Sequence, residues 1–187
     1  IQLGEQPDRV HNVGAIGLDN IQRLRLLNKD ELETAINFKF NTKNFLVTFH
    51  PPTLNLSEVE DQFSNLLIAL SKQKNTNIIF TKANADTRGR SINQMIDRFV
   101  ERNPNNAISF KSIGQLNYLS ALKHVDGVLG NSSSGIIEAP TLKTGTINIG
   151  DRQLGRVKAD SVIDSEPNIE AIDCAIQKLM SNDFAKL

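Results

Sequence analysis

The sequence has one cysteine, no tryptophan, no surplus of charge and no long apolar run, and each absence removes a class of explanation. Cys174, being alone, excludes an intramolecular disulfide and a cysteine-built metal cluster, which suits a reducing, cytoplasmic setting. Twenty-one basic residues balance twenty-one acidic ones, so no global field draws the chain to nucleic acid or an anionic membrane. Any anion site must be local. No apolar stretch approaches the roughly 20 residues of a membrane-spanning helix. The three histidines lack zinc-ligand spacing. Neither a Gly-x-x-x-x-Gly-Lys-Ser/Thr phosphate loop nor a Gly-x-Gly-x-x-Gly dinucleotide turn occurs. The expectation is therefore of no metal and no cofactor.

Length bounds what is present. At 187 residues with 39% apolar content, the chain supports one globular domain, 1–187, with its own core. It begins at Ile1, with neither an initiator methionine nor a charged-then-apolar signal segment, and is expected to be a piece of something longer.

The stretch Asp126-Gly-Val-Leu-Gly-Asn-Ser-Ser-Ser-Gly-Ile-Ile-Glu-Ala139 reads as a buried strand, a small-residue turn and a helix start. Serine hydroxyls and unpaired first-turn N–H groups then meet at one point, where a phosphate fits. Serines before a helix are ordinarily N-caps, but a cap leaves Glu138 unexplained. A capping box places its Glu three residues after the cap, and from Ser132, Ser133 or Ser134 that position is Gly135, Ile136 or Ile137. Glu138 instead lies about one turn, roughly 5 Å, beyond the serines. That offset suits a carboxylate taking ribose hydroxyls while the serines hold a diphosphate. The turn fails as a nucleophile elbow: Gly130 and Gly135 are five positions apart where Gly-x-Ser-x-Gly needs four, and no histidine is near in sequence.

Periodicity supplies the rest of the chain. Val10 to Val13 is a short strand candidate before Gly14, and Asp19 is placed to cap a helix toward Leu27. Asn28 with Glu31 and Ser57 with Glu60 are capping pairs, the second opening a helix to about Lys74 through Val59, Phe63, Leu66, Leu67 and Leu70. Further strands are expected at Phe45–Phe49, Asn77–Phe80, Ala107–Phe110, Gly127–Leu129 and Thr146–Ile149, with a short extended piece at Ser161–Ile163. Helices are expected around Ile92–Val100, Leu116–Leu122, Ser134–Leu142 and Ile169–Leu179, where Cys174 reads as a small core residue. Strand alternates with helix throughout, which predicts an α/β sandwich around a mostly parallel sheet.

Ligands of open α/β sheets bind at the carboxyl ends of the strands, and polar residues gather there: Gly14, His50, Asn84 and Asp86, Ser112 and Gly114, the serines, then Asp151 and Arg152. A guanidinium beside a helix N-terminus suits a diphosphate. His11, His124, Arg88, Arg90 and Arg156 read as structural or solvated.

The combination of His50-Pro51, Asn84-Ala-Asp86, Gly130-Asn-Ser-Ser-Ser-Gly-Ile-Ile-Glu-Ala139 and Ile147-Asn-Ile-Gly-Asp-Arg-Gln-Leu-Gly-Arg156 resembles the UDP-N-acetylglucosamine 2-epimerases, most of all the hydrolysing type that feeds sialic acid synthesis. Gln2-Leu-Gly-Glu5, Val13-Gly-Ala15 and Leu18-Asp-Asn20 extend the likeness over most of the chain. The resemblance implies a Rossmann-like sheet forming the C-terminal half of a glycosyltransferase-B-like fold, its N-terminal domain absent. It further implies that Ser132, Ser133 and Arg152 bind UDP at the diphosphate, Glu138 at the ribose, and Ser112, Ile113 and Gly114 at the uracil, with Asn131 also among the UDP-binding residues. His50 would stand at the sugar–diphosphate junction, with Asn84 and Asp86 as substrate contacts. The implied partners are UDP or UDP-N-acetylglucosamine and the missing half, and a homo-oligomer is compatible with apolar surface that half would leave exposed. Two other readings stay open, a UDP-sugar transferase half of the same architecture and a non-catalytic nucleotide-sugar-binding module.

Overall fold

The computed structural model describes residues 4, 6–11, 13–51, 57–83 and 87–184. Two helices precede the sheet, α1 (Asp19–Arg23) and α2 (Lys29–Ile36). Then strand and helix alternate as far as β5, after which a loop leads directly to β6: β1 (Lys43–Thr48), α3 (Ser57–Ser71), β2 (Thr76–Thr81), α4 (Thr87–Arg102), β3 (Ala107–Phe110), α5 (Gln115–His124), β4 (Gly127–Gly130), α6 (Ser134–Thr141), β5 (Thr146–Ile149), β6 (Val162–Ser165) and α7 (Ile169–Leu179).

The six strands form one sheet in the order β3-β2-β1-β4-β5-β6, every pairing parallel. A parallel strand needs a crossover; helices supply it at each step except β5 to β6, where a loop does, and they cover both faces, which is why these strands read as continuous apolar runs. Alternation along β1 shows the two layers. Phe45 and Val47 face α3, α4 and α7, packing with Phe63, Leu66, Ile92, Ile96 and Ile176. Leu46 faces the other way, to α2, α5 and α6, with Leu32, Ile36, Leu119, Leu122 and Ala139. Each such side chain, taken fully out of water, contributes about 1.5–3 kcal/mol before ordering costs.

Local signals behave as their chemistry requires. The Asn28 carboxamide oxygen accepts the Glu31 N–H at 2.9 Å while a Glu31 carboxylate oxygen accepts the Asn28 N–H at 2.9 Å, a complete capping box. Helix α3 begins at Ser57, where the Ser57–Glu60 pair places a helix start, and the Ser57 side chain lies outside what is described.

Several expectations are corrected. Among the described residues no strand forms near Val10 and Val13, which stand 49% and 69% exposed beyond a 3-10 turn at Pro7–Arg9. β-branched residues make a strand only against a neighbouring strand, and here none is beside them, so Gly14 follows no strand. Helix α1 stops at Arg23 instead of reaching Leu27, whose N–H is held by the Ser120 hydroxyl at 3.0 Å. Helix α3 ends at Ser71, short of Lys74. Cys174 is exposed, because α7 turns Ile172, Ala175, Ile176 and Leu179 to the core and leaves position 174 outside.

Candidate functional site

Strand order reverses between β1 and β4: from that seam the chain builds outward to β3 on one side and β6 on the other. Diverging connections leave a crevice outside the carboxyl ends of the two central strands. Thr48 of β1 pairs with Gly130 of β4, so His50 and the serine turn emerge side by side although they are some eighty positions apart. Gly130 has φ +136°, and a Cβ there would sit 2.0 Å from the Thr48 carbonyl oxygen. Only glycine permits that approach.

Asn131 ties the seam together. It is 2% exposed, its N–H donates to the Thr48 carbonyl at 3.2 Å, and its side-chain amide exchanges two 2.7 Å bonds with the N–H and carbonyl of His50. Its own carbonyl accepts from Arg152 Nη1 at 3.0 Å and from Gln153 Nε2 at 2.7 Å. One buried residue thus joins the exits of β1, β4 and β5.

The serines are not spent on capping. Ser133, in the N-cap position of α6, is helical at φ −62° and ψ −24° and makes no side-chain cap bond, while Ser132 Oγ accepts only a long 3.4 Å bond from the Ser134 N–H. The Gly135 and Ile136 N–H groups bond the Ser132 and Ser133 carbonyls at 3.1 Å, so what the turn leaves largely uncommitted is its serine hydroxyls. Five buried side-chain polar atoms among the described residues lack a well-directed partner, and three belong here: Ser134 Oγ, Glu138 Oε2 and Gln153 Oε1. Buried polar atoms are ordinarily satisfied, so a cluster of exceptions marks a place where something else supplies the bonds.

Below the turn the polar layer continues. Thr48 and Thr81 share a short hydroxyl–hydroxyl contact, and the phenol of Tyr118, on α5, lies beside the Thr48 and Ser134 hydroxyls. Burial raises the Tyr118 pKa, the two hydroxyls oppose that, and the nearby Glu138 carboxylate adds to it. Tyr118 is therefore a neutral donor at physiological pH. Arg152 is held below the usual guanidinium value first by partial burial and then by the charge of Arg156. An anion between the two guanidiniums would relieve that repulsion.

The remaining sequence candidates fall as follows. Ser112, Ile113 and Gly114 form the turn from β3 into α5, at the same edge of the sheet, with Ile113 9% exposed and Gly114 at φ +78° as the N-cap of α5. Asn84 and Asp86 lie outside the described residues. His124 is structural, its Nε2 2.9 Å from the Leu27 carbonyl, and Arg90 and Arg156 are exposed. Sequence reasoning missed Tyr118 and Gln153. For Tyr118, the one tyrosine, no local pattern gave a signal; for Gln153 the signal was its place between Arg152 and the exposed Leu154. Among the described residues no three His, Cys, Asp or Glu side chains converge, and no helix is long and apolar enough to cross a membrane.

The whole chain, residues 1–187, matches the family model described as UDP-N-acetylglucosamine 2-epimerase. It is 42% identical over 98% of its length to the GDP/UDP-N,N'-diacetylbacillosamine 2-epimerase (hydrolyzing) of Campylobacter jejuni, covering 47% of that protein. It is 46% identical over 88% of its length to polysialic acid biosynthesis protein P7 of Escherichia coli, covering 41%. The chain thus spans about half the length of the curated relatives it matches. The fold is that of the Methanocaldococcus jannaschii UDP-GlcNAc 2-epimerase, solved with UDP-GlcNAc and UDP: TM-score 0.66 at 15% identity, over 98% of this chain and 51% of that one.

Proposed function

The chain belongs to the UDP-N-acetylglucosamine 2-epimerase family, and from that premise we propose that it is the C-terminal, UDP-holding half of a hydrolysing UDP-sugar 2-epimerase. The observation that carries this reading is the cluster of unspent polar atoms at the β1–β4 seam. Acceptors at Glu138 suit ribose hydroxyls, the Ser132 and Ser133 hydroxyls at the start of α6 suit a diphosphate, and Arg152 adds a cation whose repulsion from Arg156 an anion would relieve. Asn131 shapes the diphosphate turn, and the Ser112-Ile113-Gly114 turn, with room over Gly114, takes the uracil.

The reaction proposed for the complete protein is elimination followed by hydration. Loss of the C2 proton and cleavage of the C1–oxygen bond release UDP; water then adds at C1 and a proton returns to C2 from the opposite face, giving N-acetylmannosamine. His50 stands where it assists departure of UDP, and Asn84 and Asp86 contact the sugar. The carboxylates that move the C2 proton belong to the N-terminal half, so this chain alone binds UDP weakly and turns nothing over. The names of the diacetylbacillosamine relatives make a diacetamido sugar the nearest rival substrate, with the choice made in the other half.

Calorimetric titration of UDP into the complete protein and its Glu138→Ala variant, with ADP for comparison, tests the reading. Saturable binding that prefers UDP and weakens at least tenfold in the variant is expected. Equal binding of ADP, or a variant that binds UDP as well as wild type, sinks it.

A further inference from the structure

The loop after β5 is solvated almost throughout, with Asp151, Arg152, Leu154, Gly155 and Arg156 exposed, yet Gln153 in its middle is 2% exposed. Burying an amide in such a loop costs free energy unless its groups are bonded, and here only one is: Nε2 reaches the Asn131 carbonyl at 2.7 Å while Oε1 has no partner. Apolar packing does not hold the loop, since Leu154 is 79% and Val157 95% exposed. Its ties are polar. At the near end Arg152 and Gln153 share both lone pairs of one carbonyl, and at the far end Lys158 grips both carboxylate oxygens of Asp164 at 2.7 and 2.8 Å.

We propose that Gln153 is a positioning residue of this site: its amide, clasped to the Asn131 carbonyl, fixes the backbone that carries Arg152 and so aims the guanidinium over the serine turn. The proposal rests on the nucleotide reading above. Without the clasp Arg152 is a long side chain on an unpacked loop, which must be ordered anew by each ligand it meets; with it that ordering is done beforehand.

A double-mutant cycle on the complete protein tests this, with calorimetric affinities for UDP and for uridine, which has no phosphate. Gln153→Glu keeps the shape but turns a carboxylate oxygen toward a carbonyl; Gln153→Leu removes both polar groups, and thermal melts confirm that each variant is folded. Both are expected to weaken UDP about tenfold and leave uridine unchanged. In an Arg152→Ala background the same substitutions change UDP affinity by less than about twofold, because they act through a group already gone. Recovery of Gln153→Glu relative to wild type as pH falls toward the carboxyl range, where the protonated acid again donates, gives a second signature. Equal losses for UDP and uridine, additive losses, or no loss overturn the proposal. A wild-type protein that ignores UDP overturns the nucleotide reading, and this proposal with it.

Discussion

The two ends of the sheet are equally polar and differ in whether that polarity is used up. At the amino end, where β1, β2 and β4 begin, Asp126 accepts the Asn44 N–H at 2.8 Å, Asn44 Oδ1 accepts the Asn41 N–H at 2.8 Å, Asn77 Nδ2 donates to the Lys39 carbonyl at 2.6 Å, and Thr144 Oγ1 donates to the Leu122 carbonyl at 2.5 Å. That network is closed upon itself. At the carboxyl end Asn131 is fully bonded and Asn93 closes on Ala83, but beside the serine turn Glu138 and Gln153 keep buried oxygens without partners. Polar composition marks both ends as loops; satisfaction separates the end that staples the fold from the end where the proposed ligand would supply the missing bonds.

Substitutions at the two ends should therefore differ in kind. The largest effect is expected from Gly130→Ala, which places a Cβ against the Thr48 carbonyl and forces an L residue to φ +136°. A loss of roughly 3 kcal/mol or more in urea unfolding is expected; a variant within about 1 kcal/mol of wild type would show that the seam can open cheaply. Glu138→Ala should cost at least tenfold in UDP affinity while leaving stability unchanged or up to about 1 kcal/mol higher, because it removes an unsatisfied buried oxygen. A fall in melting temperature would instead make Glu138 part of the scaffold.

At the amino end the pattern inverts. Asp126→Ala strips the Asn44 N–H of its acceptor and should cost about 1 kcal/mol with UDP affinity unaltered; lost affinity would break the division between the two ends. The smallest effect is expected at Asp164. Burial alone would raise its pKa, but hydrogen bonds from Lys158 and Asn148 and the Lys158 charge leave it lowered. A carboxyl depressed in the folded state stabilises above its unfolded pKa and loses that contribution as pH falls through the folded value. Asp164→Asn should thus cost about 0.5 kcal/mol or less near neutrality, the carboxylate being well exposed, with the difference shrinking as pH falls from about 4 through the lower folded value. A pH-independent difference would contradict the assignment.

Much of this was legible beforehand, for reasons that also explain what was not. Buried parallel strands announce themselves as apolar runs, so β1 through β5 and the helices between them fall close to where periodicity puts them. Val10 and Val13 have the same composition and no strand to pair with, a fact that lies elsewhere in the chain. Cys174 needed the angular phase of α7, which one residue decides. At the site, the serine turn and Arg152 were visible because strand–turn–helix chemistry is local. The knot at Asn131 was not, since it depends on β1 lying beside β4 with Thr48 opposite Gly130. No His was near the serines in sequence, yet the His50 backbone touches their turn.

That central pairing also bears on how the protein assembles. β1 meets β4 only after the intervening β2 and β3, with their helices, have been threaded to one side, which makes the seam a contact of high sequence separation. Loop closure of that size adds little to the equilibrium, since doubling a loop costs only about 0.6 kcal/mol, but non-local pairings slow the search. The β2–β1 and β3–β2 neighbours can form from shorter stretches first. The joint between the two halves of the sheet is then expected to form late, and on the proposed function a nucleotide bound across it stabilises only chains in which the seam has closed.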